Sequence, residues 1–196
     1  MKQFFLSRFK IWLALIVMMA SLSACVTHPT ETVADFRLPK IELLIPATAQ
    51  KNFSANQILK VTHDGQSHEL EALLEWDLSS IHLAIVKFGK RIMTVNYDGV
   101  HVDVQKDAFV PEALQGEQIL SDIQLVYWPT DVLKKTLPRD FSITDGDDVR
   151  TLSYKGRFVY RIVYHADHNL TVPRENSVHL SHLIYGYEMT VQSLPN

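Results

Sequence analysis

Between His68 and Asp77 the chain reads HELEALLEWD. Its apolar side chains fall on alternate positions: Leu70, Ala72, Leu74 and Trp76 share one parity, Glu69, Glu71 and Glu75 the other, and Leu73 is the exception. A period of two is the strand repeat, so the apolar set faces one side of a sheet and the acids face the other. Strand-like runs follow at Ile81 to Phe88, Arg91 to Tyr97 and Val100 to Val104, separated by Gly89-Lys90 as a turn and by the hairpin signal Asp98-Gly99. The pattern returns late in the chain. Phe158, Tyr160, Ile162 and Tyr164 stand against Arg157 and Arg161, and Leu183, Tyr185, Tyr187, Met189 and Val191 against Gly186, Glu188 and Thr190.

Between these two sets of strands the period changes. Leu114 to Val126 places Ile119, Leu120, Ile123 and Val126 at helical spacing, and Pro129 to Leu137 begins a second helix near Thr130 or Asp131. Strands, a helical pair and more strands predict a mainly β, α+β domain: one antiparallel sheet with helices packed on it. If such a sheet is strongly curved, its concave face is apolar. Leu70, Leu74, Trp76, Phe158, Tyr160, Ile162, Tyr185, Tyr187 and Met189 then either line a ligand cavity or fill a core, and alternation alone does not choose. Arg37 to Ala47, with two prolines, suits a first strand or a short helix equally.

The start of the chain carries an address. Lys2, Arg8 and Lys10 precede an apolar run from Ile11 to Ala20, and Leu22-Ser23-Ala24-Cys25 follows as a lipobox. The run is shorter than the roughly 20 residues that span a bilayer. The expectation is therefore a signal peptide over residues 1–24, removed once Cys25 carries a diacylglycerol, with a third acyl chain added to the freed amine. One chain binds reversibly; two or more hold a protein at a bilayer for long times. By resemblance to enterobacterial lipoprotein sorting, in which an Asp directly after the cysteine retains the protein in the inner membrane, Val26 at that position implies transport to the outer membrane. Residues 25–35 form a polar tether and residues 36–196 the folded domain.

Charge and composition exclude several classes. The chain is formally −3, and residues 1–24 carry three cations and no acid, so the remainder is −6. It has no basic block for a nucleic-acid partner. Lipidation consumes the one cysteine, leaving no disulfide or thiolate metal site. His165/His168 and His179/His182 are HxxH pairs, but residues three apart on a strand point to opposite faces, so no metal is expected. Asp145-Gly146-Asp147-Asp148 reads as a hairpin tip rather than a calcium loop. No nucleophile elbow, HExxH or phosphate loop is present, and neither enzymatic activity nor a cofactor is expected.

The order of pieces also carries a resemblance. A lipobox, IHLAIVKFGKRIMTVNYDGVHVDV, YWPTDVLKKTLP, SITDGDDVRTLSYKGRFVYRIVY and the closing HLIYGYEMTV resemble, over nearly all of the mature chain, the LolB-type outer-membrane lipoprotein receptors. More closely, the chain is similar to the lipoproteins of that superfamily that accompany aryl-polyene biosynthesis clusters. The resemblance implies a half-open β-barrel with a helical lid, binding acyl chains or another apolar, lipid-linked cargo in the periplasm, with transport rather than chemistry as its role and a periplasmic carrier protein as a possible partner. It also implies a membrane-contact loop at Phe88 and Gly89, although Lys87 stands where the receptor has a proline-bearing, more protruding loop. The alternative is a structural or assembly lipoprotein that recruits an envelope complex.

Overall fold

The chain leaves its first strand in one direction and comes back to it from the other. The computed structural model describes residues 38–112, 114–165 and 176–194; the lipobox with Cys25, the tether and His168 lie outside them. From Leu38 to Ile45 there is neither strand nor helix, and a 3₁₀ turn follows at Pro46–Ala49. Five strands then form a meander: β1 (Phe53–His63), β2 (Gln66–Trp76), β3 (Ile81–Lys87), β4 (Lys90–Tyr97) and β5 (Val102–Lys106). Helices α1 (Gly116–Tyr127) and α2 (Thr130–Thr136) come next. A second meander, β6 (Phe141–Asp145), β7 (Val149–Tyr154), β8 (Arg157–Tyr164), β9 (Ser177–His182) and β10 (Tyr187–Ser193), brings β10 alongside β1.

The result is one curved, fully antiparallel ten-stranded sheet in the order β5-β4-β3-β2-β1-β10-β9-β8-β7-β6. It does not close, because β5 and β6 occupy opposite edges. This topology dictates where the helices go. The segment joining β5 to β6 must cross the full width of the sheet, and it does so with α1 on the concave side. The fold is thus mainly β, an unclosed half-barrel with a helical cover.

Alternation holds the concave face together. Leu74, Leu83 and Val95 lie in register across β2, β3 and β4 and are all buried, as are Val191, Val178 and Tyr164 across β10, β9 and β8. Glu69, Glu71 and Glu75 face solvent from the other side of β2. Two bulges interrupt the alternation, one between Ile85 and Val86 on the β3–β4 pair and one between Leu152 and Ser153 on the β7–β8 pair. At each, two consecutive side chains are buried, Ile92 with Met93 and Val159 with Tyr160.

The turns differ in detail from the sequence expectation. The β3–β4 turn is Phe88-Gly89 rather than Gly89-Lys90, since Lys87 and Lys90 are the last paired residues. Phe88 has φ 52° and Gly89 φ 73°, the left-handed pair of a tight hairpin. Asp98-Gly99 lies in a longer loop, where Asp98 Oδ1 accepts from the Val100 and His101 amides at 2.8 and 2.6 Å. An Asx cap there does the work that a two-residue turn does elsewhere. Asp145 to Val149 is the hairpin tip expected of it.

Candidate functional site

The concave face is the place for a site, and α1 occupies it. A helix on a surface buries one stripe; α1 is buried at every position from Leu120 to Tyr127, with Trp128 behind it 0 % exposed. Leu120 and Leu125 meet the apolar floor, and Trp128 and Tyr127 join Trp76 and Phe53 in an aromatic cluster, the Phe53–Trp76 stack having centroids 4.2 Å apart. Gly116 lets the helix start close to the sheet. A Cβ there would lie 2.4 Å from Val104 Cγ2.

Burying every side of a helix puts its polar residues against protein, and each named here has a partner. Asp122 is 6 % exposed. Its Oδ1 accepts from Tyr160 Oη at 2.7 Å and Gln118 Nε2 at 3.0 Å, and its Oδ2 from Tyr187 Oη at 2.5 Å. Gln124 pairs its side-chain amide with the backbone of Leu44, accepting at 2.9 Å and donating at 2.7 Å, as a neighbouring strand would. Gln57 on β1 donates to Tyr127 Oη at 2.8 Å.

The end of α1 is held from the far arm of the sheet. A helix leaves its last carbonyls without intrahelical donors. Buried Arg150 supplies them, with Nη1 donating to the Leu125 and Trp128 carbonyls at 2.6 and 3.1 Å and Tyr164 Oη donating to Val126 at 2.8 Å. The same guanidinium pairs with Asp145 at 2.8 Å. Its Nε, also buried, has no partner among the described residues.

Burial sets the charge states. It pushes the Asp122 carboxyl up to about 6, against the opposing pull of the Tyr187, Tyr160 and Gln118 hydrogen bonds. Burial and then the Asp122 charge raise both phenols, so Tyr160 and Tyr187 remain donors. Burial draws His182 down to about 4. Neutral, it accepts at Nδ1 from the Ile184 and Tyr185 amides at 3.3 and 3.1 Å and lies among the rings of Tyr160, Tyr185 and Tyr187.

Of the nine inner-face candidates, seven lie on the concave face. Leu74, Trp76, Tyr160 and Ile162 are fully buried there, and Leu70, Tyr187 and Met189 half-buried. Two do not. Phe158 is 59 % exposed, because the bulge makes Val159 the extra inward residue and turns Phe158 out. Tyr185 is 49 % exposed, because the chain turns over residues 183–186 instead of continuing the strand. Phe88 sits at a hairpin tip, 95 % exposed. His179 and His182 point to opposite faces of β9. Alternation had no means of finding Asp122, Gln124 and Arg150, since polar residues in a helical stretch and on a strand read as solvent-facing. A raised carboxyl among tyrosines is visible only once the fold brings them together.

Two clefts border α1. One, about 10 Å³, lies between Leu44 and the α1–α2 pair; the other, about 360 Å³, opens between Lys51, Trp128, Thr130 and Arg150. Between them α1 and the floor meet directly, through the Gln57–Tyr127 and Tyr160–Asp122 hydrogen bonds and the Trp76–Tyr127 ring contact. Outside the concavity, the structure joins Ser80, His82 and Asn96 in a relay, with Ser80 Oγ 3.0 Å from His82 Nε2 and His82 Nδ1 2.9 Å from Asn96 Oδ1. It is a solvent-exposed relay bordering neither cleft, and the Ser79 and Ser80 amides beside it are taken by Asp77 Oδ1. No helix among the described residues is long and apolar enough to cross a membrane.

A comparison with the curated proteins finds no match. A family model described as "Protein of unknown function (DUF3261)" matches residues 54–195, from the second residue of β1 to beyond the end of β10, so it takes in the whole sheet together with α1 and α2. By that match the chain belongs to the DUF3261 family.

Proposed function

We propose that this protein is a lipoprotein of the outer membrane, anchored through Cys25 on the periplasmic side, that binds or hands on an apolar, lipid-linked molecule across the concave face of its half-barrel. The observation that carries the reading is the pairing of an unclosed apolar sheet with a helix that crosses its concave face and is held there by apolar contact and by side-chain hydrogen bonds. Such bonds have net contributions of about 1 kcal/mol each and can be exchanged for others. Cargo then takes the place of α1 on the floor of Leu74, Trp76, Tyr160 and Ile162. This is the working of a half-barrel carrier of the LolB type, and the aryl-polyene lipoproteins make a polyene-lipid cargo the leading candidate. The exposed tip at Phe88 and Gly89 is the expected membrane contact.

The close fit of α1 on that floor favours a second reading, in which the core is permanent and the outer surface recruits an envelope complex. Native mass spectrometry of the lipoprotein purified from producing cells separates the two. Co-purifying acyl or polyene mass supports the carrier, and a ligand-free mass with a stable protein partner supports the scaffold. The anchor has its own test: Cys25→Ser abolishes palmitate labelling, and labelling that persists rules the site out.

A further inference from the structure

Four of the eleven large apolar side chains exposed among the described residues gather at one end of the sheet. The β3–β4 and β7–β8 hairpins and the β9–β10 turn all reach the same end of the sheet, opposite the end at which β1 begins. At that end stand Phe88, 95 % exposed, Phe158, 59 %, Leu183, 51 %, and Tyr185, 49 %. The two hairpins, far apart in the sheet order, are built alike. Each turns on a residue pair with positive φ, Phe88-Gly89 at 52° and 73° and Lys155-Gly156 at 50° and 76°, and each has a bulge next to the turn. Bulges re-aim side chains, and here one leaves Phe158 facing outward.

Cations accompany the apolar groups of both hairpins, though not those of the β9–β10 turn. Lys87 Nζ lies 5.6 Å from the Phe88 ring centroid, while Lys155 and Arg157 flank the other hairpin. The opposite end also exposes Leu78 and Val100, but among Asp77, Asp98, Asp147 and Asp148; at the Phe88 end the acids are Asp64 on the intervening β1–β2 hairpin, Asp140 before β6, and Asp107, which is paired with Lys90 at 2.6 Å. We propose that both arms of the half-barrel, not the β3–β4 tip alone, seat this end on an anionic bilayer, with Phe158 and Leu183 as the second point of insertion. The inference rests on the reading that Phe88 meets the membrane and extends it to a site on the far arm. Apolar groups on separate tips, with a lysine or arginine on each of the two hairpins, suit the flat, negatively charged interface of a bilayer.

The test places an environment-sensitive fluorophore on the full chain, processed in cells and reconstituted into vesicles of phosphatidylethanolamine and phosphatidylglycerol. Single variants Phe88→Cys, Phe158→Cys, Leu183→Cys and Leu78→Cys carry it, and the unsubstituted chain reports any labelling at Cys25. The expected result is blue-shifted emission, quenched by doxyl-labelled lipid, at positions 88, 158 and 183 and not at 78. Lys155→Glu should lower quenching at 158, since one lysine near an anionic surface is worth about five-fold in binding. Quenching at 88 alone overturns the second insertion point and leaves the membrane-contact loop intact. Quenching at none of the positions overturns both. Quenching at 78 as strong as at 158 overturns the orientation, and protection of 158 and 183 by a co-purifying protein instead of lipid overturns the bilayer as occupant.

Discussion

Phe88 has a backbone its residue type disfavours and a side chain that packs on almost nothing. A non-glycine residue in the left-handed region costs about 1–2 kcal/mol, and at 95 % exposure its ring recovers little of that within the domain. Phe88→Asn, which makes the Asn-Gly pair that tight hairpins favour, should raise stability by about 1 kcal/mol in urea unfolding while reducing contact with vesicles. A loss of stability would mean that the ring is packed. Trp76 is the opposite case, 2 % exposed, stacked on Phe53 and donating from Nε1 to the Lys51 carbonyl at 2.9 Å. Trp76→Ala should cost about 3–5 kcal/mol, and Tyr160→Ala, which removes a donor to Asp122, should also destabilise the protein. Glu71→Ala, on the solvent face, should change stability by less than about 0.5 kcal/mol. Equal effects from all three would contradict the face assignment. Trp76 and Glu71 were legible because alternation in β2 is broken only at Leu73 and no bulge shifts its faces. Phe158 was not, because a bulge adds one residue to one strand and leaves no mark in composition: RFVYRIVY reads as a regular strand until Val159 is seen to be the extra inward residue.

At the scale of the element, α1 shows how far periodicity reaches. Ile119, Leu120, Ile123 and Val126 announce a helix, and one forms, but a stripe of four apolar residues implies an amphipathic surface helix rather than one buried around its circumference. What the period could not disclose is that Asp122 and Gln124 are as buried as Leu125, since their partners, Tyr160, Tyr187 and the Leu44 backbone, lie far away in sequence. The close start at Gly116 gives a direct check. Gly116→Ala places a methyl 2.4 Å from Val104 Cγ2, and overpacking of this kind costs about 1–3 kcal/mol, although alanine is the better helix former. The buried titratable pair gives a second. Asp122 has a folded pKa of about 6, above its ordinary 3.8, so its contribution is fully present below 3.8 and is lost as pH rises through 6. His182 has a folded pKa of about 4, below its ordinary 6.5, so its contribution is present above 6.5 and lost as pH falls through 4. Between pH 6.5 and 4 the two oppose each other. Asp122→Asn should therefore leave a protein that loses stability steadily on acidification across that window, and His182→Asn one that gains it, measured as urea midpoints at several pH values. Parallel slopes in the two variants would refute the assignment.

For the whole molecule, the decisive fact is connectivity. Because β1 and β10 meet in the middle of the sheet, the free edges are β5 and β6, and the segment between them has to bridge the concavity. The sequence expectation of strands, helices and strands leads to this arrangement only if the two meanders join at their outer ends, a pairing between residues more than a hundred positions apart that local pattern does not encode. Connectivity also sets what a cargo must do. A bridging helix can lift from the floor without breaking a single sheet hydrogen bond, so opening requires that its apolar contacts and its side-chain hydrogen bonds give way, among them those Arg150 donates to its last carbonyls. Arg150→Gln keeps a donor near the last carbonyls of α1 but removes the charge and the pair with Asp145. Arg150 is buried but Asp145 is partly exposed, so losing the pair costs less than the roughly 3–5 kcal/mol of a fully buried one. If α1 is a displaceable cover, that cost falls on the helix. At urea concentrations where the variant's sheet signal is still native, it should bind a fluorescent apolar dye that the parent excludes, and the amides of α1 should exchange hydrogen faster while those of β1 and β10 stay protected. If α1 is permanent core, the variant should lose sheet and helix together at a lower urea midpoint, with no dye-binding state before it. That outcome would remove the route by which cargo reaches the concave face and leave the scaffold reading in its place.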